Sequence, residues 1–312
     1  MPNIAIFILS SLIFSSISFA EPLRIGTTLW PGYEPLYLAQ EIKAYKEDIR
    51  ILHYPSTSEV LRAFKNKTLE AAALTLDEIV SLEESGIELE IILVLDVSEG
   101  ADVIMAKPEI KNMQGLIGAK VAVESTAVGA YTLSRALEVH GIDISKIHLV
   151  NIENSSHKQT YELGHADAVV TYEPVRTQLL NVGAIEIFNS SEIPGEIIDV
   201  LAVHKDVIES HRKELIDISQ GWFKALKYIN DEPISSYRFI ASRMKVTTRE
   251  AKESYFGLSL PNLKKNKELL SGNPSPLVET FKRLAQHMKN NHLISPSFST
   301  VTTVNNQFLP EN

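Results

Sequence analysis

Short apolar runs and helix-like stretches alternate along most of the chain, and the first pair shows the pattern. Residues 23–29 are mostly apolar, as expected of a strand, and a Trp-Pro-Gly sequence at 30–32 ends the run with a turn. Pro35 suits the first turn of a helix, because its missing N–H would have no partner there. Apolar side chains then recur at helical spacing. The stretch therefore predicts a strand, a turn and a helix.

The same alternation continues to about residue 190. Further strand-type apolar runs occur at 49–54, 69–74, 89–95, 103–106, 120–124, 147–151, 166–171 and 185–188. Ser56 with Glu59, and Thr75 with Glu78, have the spacing of a capping box, which predicts helix starts directly after two of these runs. Strands that alternate with helices are typical of a mostly parallel sheet with helices on both faces.

The alternation occurs twice, which predicts an α/β fold of two lobes, each a mostly parallel sheet with helices on both faces. A strand-type segment at 199–204 is expected to return to the first lobe, and mostly helical patterns follow it. The predicted boundaries are a signal peptide at 1–20, the first part of lobe 1 at 21–101, lobe 2 at 102–198, the return strand and C-terminal helices at 199–295, and a loosely held tail at 296–312.

Residues 1–20 have the pattern of a secretory signal peptide. An apolar, serine-containing run is followed by Ser18-Phe19-Ala20, which places small residues at the two cleavage-recognition positions. No lysine or arginine precedes the run, and this departs from the usual pattern. Cysteine is absent, which excludes disulfides, cysteine-based metal sites, thiol nucleophiles and a lipid-anchored cysteine. These features predict a protein exported to the bacterial periplasm.

Composition narrows the class of protein further. With 44% hydrophobic and 22% charged residues, the 312-residue chain has the composition of a soluble globular protein. Its formal net charge is −9, and no basic stripe of the kind that binds nucleic acid stands out. The nine histidines are scattered, without the spacing of metal ligands or of a nucleophile and its base. We therefore expect no enzyme activity, no cofactor or metal and no nucleic-acid partner.

Several predicted strand ends lead directly into helix starts, and in a doubly wound lobe these lie along one edge of the sheet. Unpaired N–H groups and hydroxyls converge there, so two facing lobes would form a cleft lined by hydrogen-bond donors. The predicted ligand-binding residues are Trp30, Tyr33, Glu34, Ser56, Thr57, Ser58, Thr75, Asp77, Ser98, Ser125, Thr126, Gly129, Tyr172 and Glu173.

Each of these residues also has a purely structural explanation. Serine and threonine cap helices in all kinds of protein, so one capped helix says nothing about a ligand. Trp30 and Tyr33 would serve equally well as core residues at a strand end. It is the placement of several such sites along one edge that favours ligand binding.

Three motifs carry a family resemblance. They are Trp-Pro-Gly-Tyr-Glu-Pro-Leu-Tyr-Leu-Ala at 30–39, Ser-Thr-Ser-Glu at 56–59 and Gly-His-Ala-Asp-Ala-Val-Val-Thr-Tyr-Glu-Pro at 164–174. Over about residues 22–240 the chain resembles periplasmic solute-binding proteins of the nitrate/sulfonate/taurine and thiamine-pyrimidine-precursor group of ABC transporters. The resemblance implies a type II periplasmic-binding fold whose lobes close on the ligand.

The resemblance also implies that the protein delivers a small-molecule ligand to the permease of an ABC importer. It implies crossovers between the lobes near 98–103 and 194–200. The strand-end loops that it implies as ligand contacts include Trp30, Ser58, Thr75, Ser125 and Glu173. A periplasmic sensing subunit that docks on a membrane signalling receptor would have the same lobes and is the alternative. We expect a monomer.

The loops at the predicted cleft carry acids but no lysine or arginine. The acids are Glu34, Asp77, Asp96, Glu99, Asp102, Glu124 and Glu173. Burying a sulfonate or nitrate beside carboxylates is costly, whereas an aminopyrimidine-like ligand could donate hydrogen bonds to them and stack on an aromatic ring. We therefore favour the aminopyrimidine class. We expect such a ligand to stack on Trp30 and to donate to Glu34 or Asp77 at a solvated cleft edge.

Overall fold

The structure is a computed structural model that describes residues 21–300 and 303–311. The predicted signal peptide at 1–20 lies outside the described residues. No helix in the described part of the chain is long and apolar enough to cross a membrane. The described residues form two lobes, each built on one β-sheet.

Strands and helices alternate through both lobes. The strands are β1 (Leu23–Thr27), β2 (Ile49–His53), β3 (Ala71–Thr75), β4 (Leu89–Ser98), β5 (Val103–Ala106), β6 (Lys120–Val123), β7 (His148–Asn151), β8 (Ala168–Thr171), β9 (Ile185–Asn189), β10 (Ile197–His204), β11 (Leu258–Ser259) and β12 (Thr303–Val304). The α-helices are α1 (Glu34–Glu41), α2 (Thr57–Lys65), α3 (Leu76–Glu84), α4 (Val128–Val139), α5 (His157–Glu162), α6 (Val175–Leu180), α7 (Arg212–Asp231), α8 (Pro233–Met244), α9 (Thr248–Glu253), α10 (Leu263–Leu270) and α11 (Pro276–Asn290).

The sheet of lobe 1 has the strand order β11-β4-β10-β3-β1-β2, and β12 also pairs with β4. Strand β1 is parallel to both β2 and β3. Strand β10 returns from lobe 2 and lies between β3 and β4, antiparallel to both. The first four strands therefore all run in one direction, with one reversed strand inserted among them.

The sheet of lobe 2 has the order β7-β6-β8-β5-β9 and follows the same plan. Strand β6 is parallel to β7 and β8, while β5 is antiparallel to its neighbours β8 and β9. The chain crosses between the lobes from β4 to β5 and again from β9 to β10. The predicted α/β fold of two lobes with mostly parallel sheets is thereby confirmed.

The central strands owe their sequence pattern to burial on both faces. Every residue of β3, β5, β8 and β10 is buried. Helices that cover both faces of a sheet leave no solvent-facing positions on such strands. Their apolar runs are therefore continuous rather than alternating.

The C-terminal region packs against lobe 1. Helix α7 contacts α1, and α11 contacts α3. The tail was expected to be loosely held, but Thr303–Val304 pairs in parallel with β4 and Phe308 is fully buried. The guanidinium of Arg212 lies 5.5 Å from the centre of the Phe308 ring. The expectation is wrong for residues 303–311, because one large apolar side chain in a polar segment secures it to the lobe.

Candidate ligand-binding site

A small cavity lies between the two lobes, where strands of both sheets end. Its volume is about 20 Å³, which is room for about one water molecule. Its wall is formed by Thr28, Trp30, Tyr33, Thr57, Thr75, Glu78, Asp102, Val128, Tyr172 and Asp199. Open α/β sheets bind ligands at this kind of position, outside the carboxyl ends of the strands.

Trp30 is held in the cavity wall by a buried acid on β4. Its indole Nε1 donates a hydrogen bond to Asp96 Oδ2 at 3.1 Å. Gly32 makes this contact possible, because a Cβ at that position would lie 1.8 Å from the same oxygen. The Tyr255 hydroxyl donates to the carbonyl of Pro31 at 2.8 Å and secures the turn from the other side. The Trp-Pro-Gly sequence thus folds against lobe 1 and directs the indole to the cavity.

Tyr33 is held by a second buried acid next to the first. Its hydroxyl donates a hydrogen bond to Asp199 on β10, and Asp199 lies directly opposite Asp96 across the strand pair. Burial raises the pKa of Asp96 to about 7. Burial, and then the charge of Asp96, raise the pKa of Asp199 well above its usual value. Two adjacent buried carboxyls resist double ionisation, so the pair retains a proton near neutral pH.

Tyr172 supplies the aromatic wall on the lobe 2 side. It directly follows β8, and its ring meets Trp30 edge-on, with centroids 5.2 Å apart and planes inclined at 82°. It also lines a neighbouring space of about 10 Å³ together with Gly129, Asn154 and His157. The two lobes therefore touch through aromatic rings at the cavity itself.

Polar contacts join the lobes around the cavity. The amide and hydroxyl of Ser58 both donate to Glu124 Oε1, at 2.9 and 2.5 Å. The hydroxyls of Ser58 and Thr126 are 2.6 Å apart. The Val128 N–H donates to Glu78 Oε1 at 3.2 Å. The structure is therefore that of a closed pair of lobes.

Carboxyl groups determine the electrostatics of the cavity. Glu78, Asp102 and Asp199 line it, and none of the described residues that do so is a lysine or arginine. Burial raises the pKa of Asp102 to about 7, and burial together with the charge of Asp77 raises the pKa of Glu78 well above its usual value. A cation or N–H donor would favour the ionised acids, whereas an anion would require the neutral ones. The described residues hold no group of three or more His, Asp or Glu side chains placed to bind a metal ion.

Comparison with known proteins decides the family. The model of the NMT1-like family matches residues 19–240. The chain belongs to the NMT1-like family. The resemblance inferred from the three sequence motifs is thereby confirmed.

Individual relatives of this NMT1-like chain are distant in sequence. The taurine-binding periplasmic protein of Escherichia coli (strain K12) is 21% identical over 212 residues, which span 65% of this chain and 65% of the relative. The alkanesulfonate-binding protein SsuA of Xanthomonas axonopodis pv. citri, bound to MOPS, superposes with a TM-score of 0.76 at 13% identity, covering 88% of this chain and 94% of SsuA. A Candida albicans protein described as having the generic periplasmic binding protein fold gives a TM-score of 0.67 at 11% identity, covering 89% and 92%. These likenesses establish the periplasmic-binding fold.

The fold brings some of the predicted ligand-binding residues together at one cavity. Those that line it are Trp30, Tyr33, Thr57, Thr75 and Tyr172. Gly129 lines the neighbouring space. Ser58, Asp77, Ser125 and Thr126 line a larger, open groove at the outer edge of the lobe interface. A ligand role for these residues stays a prediction.

Glu34 and Asp77 do not lie where we expected them. Glu34 is fully buried at the start of α1, where its Oε2 accepts a hydrogen bond from Arg243 Nε at 2.6 Å. The Arg243 guanidinium also lies 3.3 Å from the centre of the Tyr37 ring. Asp77 is 4% exposed and lines the outer groove rather than the cavity. The expected solvated cleft edge is therefore wrong for both acids. Burial raises the pKa of Glu34 to about 7, although Arg243 opposes the rise.

Three further predicted residues lie away from the cavity, where they support the fold. Ser56 caps α2 by accepting a backbone N–H at 3.3 Å. The Ser98 hydroxyl lies 2.8 Å from that of Ser190, which links the two crossovers between the lobes. Glu173 pairs with the Arg176 guanidinium at 3.2 Å. In each case the side chain that we expected to contact a ligand makes a hydrogen bond to a neighbouring group of the protein instead.

Five residues of the cavity wall were absent from the predicted set: Thr28, Glu78, Asp102, Val128 and Asp199. The sequence identified Glu78 only as part of a capping box and Asp199 only as part of the return strand. Asp102 was expected among the acids of the cleft loops, although not among the ligand-binding residues. One signal could have indicated both Asp102 and Asp199 as cavity residues. Each lies where the chain crosses between the lobes, and such positions face the cleft.

Proposed function

We propose that this chain is the periplasmic solute-binding component of a bacterial ABC importer and that it closes its two lobes on a small ligand. Membership of the NMT1-like family and the periplasmic-binding fold support this role. The relatives named above include a taurine-binding and an alkanesulfonate-binding protein, and none is described as a sensor. The sensing alternative therefore has no support, and we do not retain it.

The proposed ligand is a small, planar, nitrogen-rich molecule of the aminopyrimidine class. One observation carries this proposal: the cavity presents aromatic rings and carboxyls, with no lysine or arginine among the described residues that line it. Stacking on an aromatic ring contributes about 0.5–1.5 kcal/mol beyond the burial of area. A sulfonate or nitrate would instead face buried carboxyls, which costs several kcal/mol unless they are protonated.

Asp102 and Asp199 are the proposed hydrogen-bond acceptors, in place of Glu34 and Asp77. Asp102 lies in the first crossover and Asp199 on the strand that returns from the second, so both are placed where the lobes connect. A hydrogen bond to a charged acceptor is worth about 1.5–3 kcal/mol. A ligand that donates to both acids would hold the connecting segments in the closed arrangement.

Calorimetry with the purified mature protein tests the ligand class. We expect 4-aminopyrimidine to bind and taurine to bind much more weakly. Replacing Asp102→Asn should weaken the binding of 4-aminopyrimidine by about tenfold or more, because 1.4 kcal/mol corresponds to a factor of ten. Tight binding of taurine that improves in Asp102→Asn would contradict the proposed class. Mass spectrometry of ligand that co-purifies with the protein provides an independent check.

The pH dependence of binding separates the two ligand classes by its sign. Burial raises the pKa of Asp102 to about 7, so this acid loses its proton as the pH passes through neutrality. An N–H donor binds better to the carboxylate, and its affinity should rise between about pH 6.5 and 8.5. An anion binds better to the neutral acid, and its affinity should fall over the same range.

Light scattering on the same samples tests the expected monomer.

A further inference from the structure

We propose that Glu78 fills an anion site between the lobes with its own carboxylate and thereby excludes anionic ligands from the cavity. This inference rests on the proposed function, because it concerns the ligand class of the same cavity. Under this proposal, Glu78 both joins the two lobes and determines that the cavity rejects anions.

The carboxylate of Glu78 bridges the two lobes. Oε2 accepts a hydrogen bond from the Thr75 N–H in lobe 1 at 2.9 Å, and Oε1 accepts one from the Val128 N–H in lobe 2 at 3.2 Å. The side chain lines the cavity and only 2% of the residue is exposed. Each oxygen therefore satisfies a backbone donor that would otherwise be buried without a partner.

The donor in lobe 2 belongs to a helix start that has no cap of its own. Helix α4 begins at Val128, and its N-cap is Ala127, whose side chain has no acceptor atom. The first turn of α4, which the structure describes in full, contains no acidic residue. Unpaired N–H groups and the helix dipole make such a start attractive to a negative charge. Glu78 reaches this helix start from the facing lobe and satisfies the Val128 N–H with a carboxyl oxygen.

A second donor group points to the same site. The Thr75 hydroxyl lines the cavity in a residue that is 5% exposed, and its Oγ1 has no hydrogen-bond partner among the described residues. Together with the Val128 N–H it would serve an anion well if the carboxylate were absent. With Glu78 in place, its carboxyl oxygen already accepts the Val128 N–H, so an incoming sulfonate would have to displace it.

The variant Glu78→Gln tests the proposal with little change of shape. Its amide oxygen can still accept the Thr75 N–H, whereas the acceptor for the Val128 N–H is lost. We expect sulfate, and taurine through its sulfonate group, to bind at least tenfold more tightly to Glu78→Gln than to the wild type in calorimetry; sulfate lacks the ammonium group of taurine and isolates the effect on an anion. We also expect the ligand-free variant to have a larger radius of gyration in X-ray scattering, because the contact between the lobes is weakened.

A matched control changes the glutamate of the other Thr-x-x-Glu capping box in the described residues. Glu250 accepts the Thr247 N–H at 2.8 Å in a capping box of the same spacing, but at the surface of the molecule. Its Oε1 accepts one long, exposed contact from Asn181 of lobe 2, at 3.4 Å, and the amide oxygen of a glutamine could keep that contact. Glu250→Gln should leave both the affinity for taurine and the radius of gyration at wild-type values.

A third variant removes the N–H donor of α4 and keeps the acid. Val128→Pro removes the N–H at the first position of α4, where proline is well tolerated, and leaves Glu78 unchanged. We expect this variant to have a larger radius of gyration but no gain in affinity for taurine. An equal gain in Val128→Pro and Glu78→Gln would overturn the assignment of the site to the start of α4.

No gain in Glu78→Gln over the wild type, with circular dichroism showing a folded variant, would overturn the proposal. This outcome is distinct from failure of the proposed function. Failure of the proposed ligand class would appear in the wild type, as tight binding of taurine with no binding of 4-aminopyrimidine. The ratio of taurine affinities between Glu78→Gln and the wild type tests only the proposed role of Glu78.

Discussion

Two helices of this protein begin with the same Thr-x-x-Glu sequence, yet the two glutamates lie in opposite surroundings. In both motifs the glutamate side chain accepts the backbone N–H of the threonine, at 2.9 Å for Glu78 and at 2.8 Å for Glu250. Glu78 also accepts an N–H from the other lobe and is buried. Glu250 lies at the surface, where the Thr247 hydroxyl donates a second bond to it.

The pKa values of the two acids move in opposite directions. Burial, and then the charge of Asp77, raise the pKa of Glu78 well above its usual value. Hydrogen bonds from the Thr247 N–H and hydroxyl lower the pKa of Glu250. The motif thus determines the local hydrogen bond, whereas the position of the helix between the lobes determines the charge state and the function.

The largest effect that we expect is on stability. Glu78→Ala leaves two buried N–H donors without partners, and each such donor costs about 1–3 kcal/mol. The variant should therefore lose about 2–6 kcal/mol of unfolding free energy in urea denaturation. Glu250→Ala removes only a surface cap and should lose ~1 kcal/mol or less. Equal losses would show that the shared motif, rather than the lobe interface, sets the energetic role.

The pH dependence of stability in the ligand-free protein should also distinguish buried acids of the cavity, such as Asp102, from surface acids such as Glu250. The pKa of Asp102 is raised from its usual value to about 7. A carboxyl whose pKa is raised by folding stabilises the protein below its unfolded pKa, and this contribution is lost as the pH rises through the folded pKa. Unfolding free energy should therefore fall between pH 5 and 8, by up to about 3 kcal/mol for this group, because about two pH units separate pH 5 from its pKa.

Two variants test whether Asp102 causes this loss of stability, one at each end of the pH range. Asp102→Asn should flatten the loss of stability between pH 5 and 8 in denaturant titrations. The pKa of Glu250 is lowered instead, so its contribution is lost only as the pH falls below the usual glutamate range. Glu250→Gln should therefore alter stability on the acid side alone. A stability that rises from pH 5 to 8 in the wild type would contradict the buried, protonated state of the cavity acids.

A comparison of two aromatic residues tests the cavity itself. Trp30→Ala removes the indole that lines the cavity and should weaken binding of 4-aminopyrimidine by about tenfold or more, since stacking and buried area are both lost. Phe256 is 74% exposed, so Phe256→Ala serves as the control and should bind with wild-type affinity. Calorimetry at one pH gives both values. Unchanged binding in Trp30→Ala would place the ligand elsewhere.

The smallest effect concerns the rim of the lobe interface. Ser58→Ala removes one hydroxyl bond to Glu124 but keeps the backbone bond at 2.9 Å, so the closed state should lose about 0.5–1.5 kcal/mol. The affinity for 4-aminopyrimidine should fall by about two- to tenfold in calorimetry. Ser210→Ala removes a surface bond to the Val207 carbonyl and should leave the affinity unchanged. A loss in both variants would indicate a general effect of removing serine.

Local patterns predicted most of the elements, and they also indicated one side of the site. The Trp-Pro-Gly turn directs Trp30 and Tyr33 to the cavity, and the need for Gly32 follows from the close approach of Asp96. The capping spacing at Thr75 and Glu78 correctly marked the start of α3. The same spacing at Ser56 marked a helix start but not a cavity residue. Capping is a local property, so it cannot distinguish a helix that faces a ligand from one that does not.

What the sequence by itself determined is the order of strands and helices, the two-lobed α/β class and the family, because periodicity, turn residues and short motifs act over a few positions. What only the tertiary structure decided is which acids face the cavity. Asp199 lies beside Asp96 because β10 returns from lobe 2 and inserts next to β4. Glu34 is withdrawn because Arg243, more than two hundred residues later, reaches it. Contacts between such distant positions depend on how the elements pack, and no local pattern records them.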